Sequence, residues 1–143
     1  MKKHEPPIVV GHSFNVNRED LWDAITRVER MGEWFFNNIP AFQPRPGFKT
    51  GFLVQNEGRD FPHCWEVLEV IPLQKITVNW KYEGYEGECN VSFELVPRDH
   101  GTQLIVTVTV LEDFSDGVPE FQRESCLGGW NYFIGQSLHQ YLS

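Results

Sequence analysis

Apolar and polar residues alternate along much of this chain, with the two-residue period of β-strands that are buried on one face. The first alternating segment is Ile8–Phe14, and a second runs from about Phe48 to Gln55. Further alternating segments follow as far as residue 110 and are separated by short turns. This spacing predicts a meander of antiparallel strands.

The hairpins of the meander can be compared, because cross-strand neighbours point to one face and a turn of even length preserves that relation. Turns at 72–75 and 98–101 each give one apolar face, and reversals at 57–60 and 84–87 join the hairpins in the same phase. All strands are therefore predicted to share one dry face. The predicted neighbours on it are Phe52 with Trp65, Val54 with His63, Ile71 with Ile76, Glu69 with Val78, Val67 with Trp80, Trp65 with Tyr82, Leu95 with Leu104, Phe93 with Val106 and Val91 with Val108.

Helical periodicity interrupts the alternation in two places. Asn17 can cap a short amphipathic helix that ends near Val28, and one or two further turns follow through Met31–Phe36. At the end of the chain, residues 118–142 carry large side chains along one helical side, namely Leu127, Trp130, Ile134, Leu138 and Tyr141. Only this segment is long enough to cover the dry face, so we predict an α+β domain in which a curved antiparallel sheet of six or seven strands wraps a long C-terminal helix.

Gly128 and Gly129 fall inside this C-terminal helix. Each glycine costs about 1 kcal/mol relative to alanine in a helix interior. The simpler explanation is a bend or a helix start near Cys126. The alternative is that the glycines allow close backbone approach or leave room for a ligand.

Composition narrows the possible functions. The 143 residues fit one domain, 1–143, of which residues 1–7 are expected to be flexible. A net charge of −8 without a Lys/Arg stripe disfavours nucleic acid and anionic membranes as partners. No run of about 18 apolar residues and no apolar segment after Met1–Pro7 occur, so neither membrane insertion nor a signal peptide is predicted and the cytoplasm is the expected location.

Residues that could bind metals or react as thiols are scattered. Cys64, Cys89 and Cys126 form an odd set without CxxC spacing, and the five histidines include no HxH or HExxH pair. We therefore predict no metal site and no cofactor, and expect reduced thiols buried as small hydrophobes. The chain also lacks GxSxG, P-loop and dinucleotide-binding motifs.

Four segments, in order along nearly the whole chain, carry a family resemblance. They are NREDLWDAITRVERMGEWF at 17–35, the strand Ile76–Trp80, His100-Gly101-Thr102 and Gly129-Trp130. Together they resemble the START/Bet v 1-like (SRPBCC) superfamily, and within it the group similar to the C-terminal domain of the activator of Hsp90 ATPase. The resemblance implies a helix-grip fold with a cavity for an apolar or amphipathic small molecule, lipids included.

The same resemblance bears on the possible activities. Some relatives in the superfamily are cyclases or hydrolases, and the eukaryotic namesake acts on a chaperone. This chain has no second domain that resembles the chaperone-binding portion of the namesake.

Nine residues are predicted to line a cavity between the sheet and the C-terminal helix. They combine large apolar bodies with a few polar edges, as a site for a hydrophobic or aromatic ligand requires. The leading hypothesis is therefore a small-molecule binding module, and the alternative is that these side chains fill the core completely. The nine residues are Trp34, His63, Trp65, Glu69, Trp80, Tyr82, Phe93, Trp130 and Ile134.

Glu69 is the candidate catalytic residue, because the predicted register puts its carboxylate on the apolar face. A buried carboxylate can orient a ligand or act as general acid or base, here with His63 or Tyr82 in a cyclase-like or hydrolytic enzyme. Alternatively, Glu69 lies near a sheet edge or is paired with a basic group. A third hypothesis is an interaction protein whose acidic surface contacts a chaperone or, in a homodimer, another copy of the chain.

Overall fold

The fold is built on one antiparallel sheet of six strands, seen in a computed structural model that describes residues 1–143. The spatial order of the strands is β1-β6-β5-β4-β3-β2, so β2 to β6 form a meander and β1 pairs with its last strand. The predicted α+β helix-grip fold is confirmed. The strands are β1 (Ile8–Phe14), β2 (Lys49–Asn56), β3 (Arg59–Ile71), β4 (Lys75–Tyr82), β5 (Glu88–Arg98) and β6 (Gly101–Glu112).

Two short helices, α1 (Arg18–Thr26) and α2 (Val28–Trp34), follow β1 as predicted. The helix α1 begins where the side chain of Asn17 accepts a hydrogen bond of 2.9 Å from the backbone N–H of Asp20. Arg27 separates the two helices because its backbone is extended, with φ −91° and ψ 124°. No helix in the structure combines the length and the apolar character needed to cross a membrane.

The C-terminal helix packs on the inner face of the sheet. It consists of α3 (Arg123–Tyr132), a π-helical segment (Phe133–Leu138) and a last turn, α4 (His139–Tyr141), and a separate 3₁₀ turn (Pro119–Phe121) precedes it. Because α3 begins at Arg123 and runs through both glycines, the predicted helix start near Cys126 is wrong.

The side chains of this helix partly follow the predicted apolar side. Trp130, Ile134 and Leu138 are buried, whereas Leu127 is 39% exposed. The π-helical segment passes close to β1, because a Cβ atom added to Gly135 would lie 2.8 Å from Cε1 of His12. The helix is therefore held against both the centre and one edge of the sheet.

The strand register matches the prediction in one hairpin and differs in another by two residues. In β5–β6, Leu95 pairs with Leu104 and Val91 with Val108, as predicted. In β2–β3, a two-residue turn at 57–58 replaces the predicted reversal at 57–60, and both turn residues have positive φ. The predicted pairs Phe52–Trp65 and Val54–His63 are therefore wrong, but a shift of two residues keeps every side chain on its face. The observed pairs are Phe52–His63 and Val54–Phe61.

The β3–β4 hairpin has a turn of odd length. It contains three residues, Pro72 to Gln74, so that Ile71 pairs with Lys75 instead of Ile76. Leu73 reverses the chain with φ 67°. A turn of odd length exchanges the two faces of the following strand relative to the prediction.

A β-bulge in β3 corrects this exchange of faces. The register shifts between Val67 and Glu69, which adds one residue to β3. Beyond the bulge, Val67 pairs with Val78 and Trp65 with Trp80, so the apolar side chains again share the inner face. The predicted pairs Ile71–Ile76, Glu69–Val78, Val67–Trp80 and Trp65–Tyr82 are wrong.

Glu69 lies on the outer face of the sheet as a consequence of the bulge and the turn. It pairs with Thr77, and its side chain is 51% exposed. The Nζ atom of Lys75 lies 3.3 Å from its Oε1 and 3.8 Å from Oε1 of Glu94. The prediction that Glu69 occupies the apolar face is wrong, and the alternative, a carboxylate paired with a basic group, describes the structure.

We expect Glu69→Gln to be nearly neutral, because an exposed ion pair contributes at most about 1 kcal/mol. Urea denaturation should show a change of less than about 1 kcal/mol in the free energy of unfolding. Titration with a hydrophobic probe should show unchanged affinity. A tenfold loss of affinity would contradict this expectation and show that Glu69 contributes to ligand binding.

Residues 1–7, expected to be flexible, contact the segment between β6 and α3. The Met1 amino group donates a hydrogen bond of 2.7 Å to the Phe121 carbonyl, and the backbone N–H of Phe114 donates one of 3.0 Å to the Met1 carbonyl. Nζ of Lys2 lies 2.8 Å from a carboxylate oxygen of Asp116. These contacts place Met1 beside the start of the C-terminal helix.

Candidate ligand-binding site

Aromatic side chains almost fill the space between the sheet and the helices. The enclosed part of this space measures about 20 Å³, room for about one water molecule. All of its lining residues are hydrophobic, and they include Trp34, Phe35, Trp65, Trp80 and Phe93. We call this space the interior cavity, and for it the predicted alternative of a filled core holds.

A larger cavity of about 150 Å³, which we call the mouth, opens to solvent between the sheet and α3. Phe35 and Trp80 line both the mouth and the interior cavity, so these two side chains form the wall between them. Hydrophobic side chains dominate the mouth. Its aromatic lining consists of Phe35, Phe36, Trp80, Tyr82, Trp130 and Phe133, and its other lining residues are Met1, His63, Glu120, Cys126 and Gly129.

The position of Phe35 is set by the end of α2. The Trp34 indole N–H donates to the Ala24 carbonyl at 2.8 Å, and the Ser137 hydroxyl donates to the Trp34 carbonyl at 2.6 Å. The residue before Phe35 is therefore tied to both α1 and the π-helical segment. The half-buried Phe35 ring packs against other aromatic rings, with its centroid 4.9 Å from that of Phe133 and 5.7 Å from that of Trp130.

His63 presents a neutral imidazole to the mouth. Its Nδ1 lies 2.8 Å from the Phe61 carbonyl oxygen, which can only accept, so Nδ1 carries the proton and Nε2 is an acceptor. The ring is 5% exposed, and burial lowers the pKa of His63 to about 4, while the hydrogen bond to Phe61 opposes the shift. His63 is therefore uncharged at neutral pH.

Two buried indole N–H groups, those of Trp65 and Trp80, have no hydrogen-bond partner. The side chains are 4% and 7% exposed, and their ring centroids lie 4.9 Å apart. A buried donor without a partner costs about 1–3 kcal/mol, and such groups are rare in native proteins. These two donors are the least satisfied polar groups between the sheet and the helices.

The other titratable groups inside the mouth are also held uncharged. Burial raises the pKa of the Tyr82 hydroxyl, and the neighbouring Trp80 N–H opposes the shift without reaching hydrogen-bond geometry. Burial likewise raises the pKa of the Cys126 thiol to about 11, with the Trp130 indole opposing the shift. The titratable side chains inside the mouth, His63, Tyr82 and Cys126, are therefore uncharged at neutral pH.

Glu120 is the one charged side chain that lines the mouth, and it is fully paired. Its carboxylate accepts hydrogen bonds from Arg59 Nη2 at 2.7 Å, from Arg59 Nε at 2.9 Å and from the Asn56 amide at 2.7 Å. The hydrogen bond from Arg59 is the main cause that lowers the pKa of Glu120 to about 2. This pair ties the 3₁₀ turn before α3 to the β2–β3 hairpin.

Comparison with known proteins places the chain in a family. A family model described as "Activator of Hsp90 ATPase homolog 1-like protein" matches residues 15–143. The chain belongs to this family. The predicted resemblance to the START/Bet v 1-like superfamily is thereby confirmed, and no curated protein sequence matches the chain.

Solved structures agree with the family assignment. DynU16, a protein from the dynemicin biosynthetic locus, is 25% identical with a TM-score of 0.76, and the match covers 96% of this chain but 47% of DynU16. Protein MLL2253 from Mesorhizobium loti is also 25% identical, with a TM-score of 0.75 and 96% of both chains covered. Mll3558 from Rhizobium loti, 16% identical with a TM-score of 0.81 and 96% of both chains covered, shows the shared fold alone.

In this member of the activator of Hsp90 ATPase homolog 1-like family, the predicted site residues divide into four sets. The mouth brings together four of the nine, namely His63, Trp80, Tyr82 and Trp130. The interior cavity is lined by Trp34, Trp65 and Phe93, together with Trp80. Ile134 is fully buried and lines neither space, and Glu69 lies on the outer face.

The sequence analysis missed other residues of the mouth, among them Phe35, Phe36, Cys126 and Phe133. Helical spacing could have identified two of them, since Cys126 lies four residues before Trp130 and Phe133 three residues after it along the C-terminal helix. Phe35 and Phe36 were predicted only to end a helix. No group of three or more His, Cys, Asp or Glu side chains is arranged to hold a metal ion, and the three cysteines are free.

The lowered pKa of His63 predicts a stability that depends on pH. The unfolded chain, with an ordinary pKa of 6.5, binds more protons than the folded chain, with a pKa of about 4, so stability is lost as the pH falls between these values. Between about pH 7.5 and about pH 5 we expect His63 to remove about 2 kcal/mol from the free energy of unfolding.

Urea denaturation of the wild type and of His63→Phe at these two pH values measures the effect. The variant should lack this part of the pH dependence. Glu120 does not interfere, because its own loss of stability begins only below its ordinary pKa of 4.5. Equal losses in the two proteins would mean that His63 is not held neutral by burial.

Proposed function

We propose that the chain binds an uncharged hydrophobic or aromatic small molecule in the mouth between the sheet and the C-terminal helix. The observation that supports this most strongly is a cavity of about 150 Å³ between the sheet and α3 whose lining is mainly aromatic and includes Trp80 and Trp130. Burying about 200 Å² of apolar ligand surface contributes about 5 kcal/mol before the costs of ordering. Such a site needs no charged group to hold its ligand.

The neutral state of the mouth favours binding over catalysis. His63 is a weak base and the Tyr82 and Cys126 groups are weak acids at neutral pH, because burial shifts each pKa away from neutrality. Glu69, the predicted general acid or base, lies outside the mouth. A cyclase-like or hydrolytic reaction is therefore the weaker candidate, and contact with a chaperone, self-association and a cytoplasmic location stay predictions.

One relative adds support from its setting. DynU16 is a protein from the dynemicin biosynthetic locus, and this chain spans about half of it at 25% identity. A biosynthetic locus is a setting in which a small-molecule ligand is expected. The similarity to DynU16 therefore supports a small-molecule ligand for this chain, and we place that ligand in the mouth.

Titration with the uncharged fluorescent probe N-phenyl-1-naphthylamine tests the proposal. We expect a saturable rise in probe emission at one site per chain, with a matching loss of tryptophan emission because Trp80 and Trp130 line the mouth. Native mass spectrometry of the same preparation should first establish whether an organic molecule co-purifies and must be removed. Probe emission that stays low, or that rises without saturation, would contradict a defined site.

A further inference from the structure

The mouth is small for a ligand with several rings. Its volume is about 150 Å³, whereas cavities that hold a drug-sized ligand measure about 300–1,000 Å³. An apolar cavity of about 150 Å³ accommodates a single benzene ring. A ligand of two or three rings therefore requires one wall of the mouth to move.

Most walls of the mouth belong to firmly held parts of the fold. Trp80 and Tyr82 lie on β4, between β3 and β5 in the sheet, and Trp130 lies on α3. The Phe35 ring packs among six other aromatic rings, and the interior cavity behind it, about 20 Å³, is too small to receive that ring. Moving any of these walls would disrupt the packing of the core.

One wall comes from a segment outside every helix and strand. Met1 lines the mouth and belongs to residues 1–5, which we call the strap. The strap folds as a tight turn, because the backbone N–H of Glu5 donates to the Lys2 carbonyl at 3.2 Å and the Glu5 carboxylate accepts from the Lys2 backbone N–H at 2.7 Å. The strap can therefore move as a unit.

Few contacts hold the strap to the segment between β6 and α3. Met1 forms two backbone hydrogen bonds with this segment. Nζ of Lys2 pairs with Asp116, whose side chain is 89% exposed, and the backbone N–H of Lys3 donates to an Asp113 carboxylate oxygen at 2.7 Å. Exposed polar contacts of this kind contribute little to stability, so the strap is the wall that is easiest to displace.

Arg123 fixes the point from which the strap moves. Its guanidinium donates to the Pro6 carbonyl at 2.7 Å and to the Pro7 carbonyl at 3.3 Å. Both prolines also restrict their own φ, so residues 6–7 form a firm base for the strap. The strap precedes residue 15, where the match to the family model begins, and lies outside the matched region.

We infer that the strap is a movable wall of the mouth, which a ligand of more than one ring displaces on binding. This inference rests on the proposed function, because it concerns access to the same site. Displacement takes the Met1 side chain out of the mouth and enlarges it, while the sheet and α3 keep their positions. Releasing the strap then lowers the affinity for a large ligand and leaves the affinity for a single ring unchanged.

Ligands of two sizes test the inference, namely N-phenyl-1-naphthylamine, with three rings, and toluene, with one. Asp113→Ala/Asp116→Ala removes both carboxylates that hold the strap, so this variant should bind N-phenyl-1-naphthylamine about fivefold more tightly than the wild type does. Its affinity for toluene, followed by NMR titration, should be unchanged. The control Asp99→Ala/Glu33→Ala removes two exposed carboxylates that do not line the mouth, and it should match the wild type for both ligands.

Hydrogen exchange reports the position of the strap directly. The backbone N–H groups of Lys3 and Phe114 form hydrogen bonds only while the strap is docked. Saturating N-phenyl-1-naphthylamine should therefore speed their exchange at least about threefold in the wild type, whereas toluene should not.

The outcomes separate this inference from the proposed function. Equal affinity of the wild type and Asp113→Ala/Asp116→Ala for N-phenyl-1-naphthylamine, an equal gain for toluene, or exchange at Lys3 and Phe114 that stays the same or slows would overturn the movable wall and leave the binding site in place. Failure of both proteins to bind N-phenyl-1-naphthylamine would overturn the inference together with the proposed function.

Discussion

Gly129→Leu is expected to lower the affinity for N-phenyl-1-naphthylamine by at least about tenfold, because the new side chain occupies the mouth. Gly129 lines this cavity, and a Cβ atom added to it meets no atom within 4 Å. The leucine therefore enters open space and competes directly with a ligand. Fluorescence titration of the probe measures the loss.

Gly128→Leu is the matched control. Gly128 is the preceding residue of α3, is exposed, does not line the mouth and also has no atom within 4 Å of an added Cβ. Both substitutions replace a glycine inside a helix, so each should stabilise the fold by up to about 1 kcal/mol. Unchanged affinity in Gly129→Leu, or an equal loss in both variants, would contradict the position of the site.

Gly87→Ala is expected to lower the free energy of unfolding by about 2–5 kcal/mol. Gly87 has φ 115°, and an added Cβ would lie 2.3 Å from Cδ1 and 2.8 Å from Cα of Phe114. A left-handed backbone costs an L-residue about 1–2 kcal/mol, and forcing an atom into a packed core costs about 1–3 kcal/mol more. Phe114 cannot easily move, since it is 2% exposed and packs on Phe121 with centroids 5.2 Å apart.

Gly84→Ala separates the two causes. Gly84 belongs to the same β4–β5 connection and has φ 87°, but an added Cβ meets nothing within 4 Å. It should therefore lose only the backbone part, about 1–2 kcal/mol. Urea denaturation of both variants gives the difference, and equal losses would mean that contact with Phe114 does not limit the substitution at Gly87.

The register of the sheet shows how far local pattern is informative. The β5–β6 hairpin was predicted correctly, because its turn is even and its strands pair without an extra residue from Cys89 to the turn. In β3–β4, an odd turn and a β-bulge compensate for each other, so alternation continues while the pairing changes. The apolar pattern is the same whether the hairpin has an even turn and no bulge or an odd turn and a bulge. The pattern therefore could not distinguish the two registers.

Glu69 illustrates the cost of that ambiguity. Alternation counted from Val67 placed its carboxylate among apolar neighbours, yet one additional residue in β3 turned it to the outer face, where Lys75 lies 3.3 Å away. His63 lies before the bulge, and its predicted place on the apolar face agrees with the structure. The bulge and the odd turn together change the face only of the residues between them, and Glu69 is the one candidate in that segment.

Local sequence patterns predict the elements, their order, the shared apolar face and the aromatic character of the site, because the period of apolar residues is a property of each segment. Tertiary structure decided where the open space lies. Phe35 comes from the loop after α2 and separates a nearly filled interior from the mouth. Its neighbour Trp130 comes from α3, and its neighbour Phe133 comes from the π-helical segment. Whether aromatic side chains fill a cavity or line it depends on how distant segments pack together, which no local pattern records.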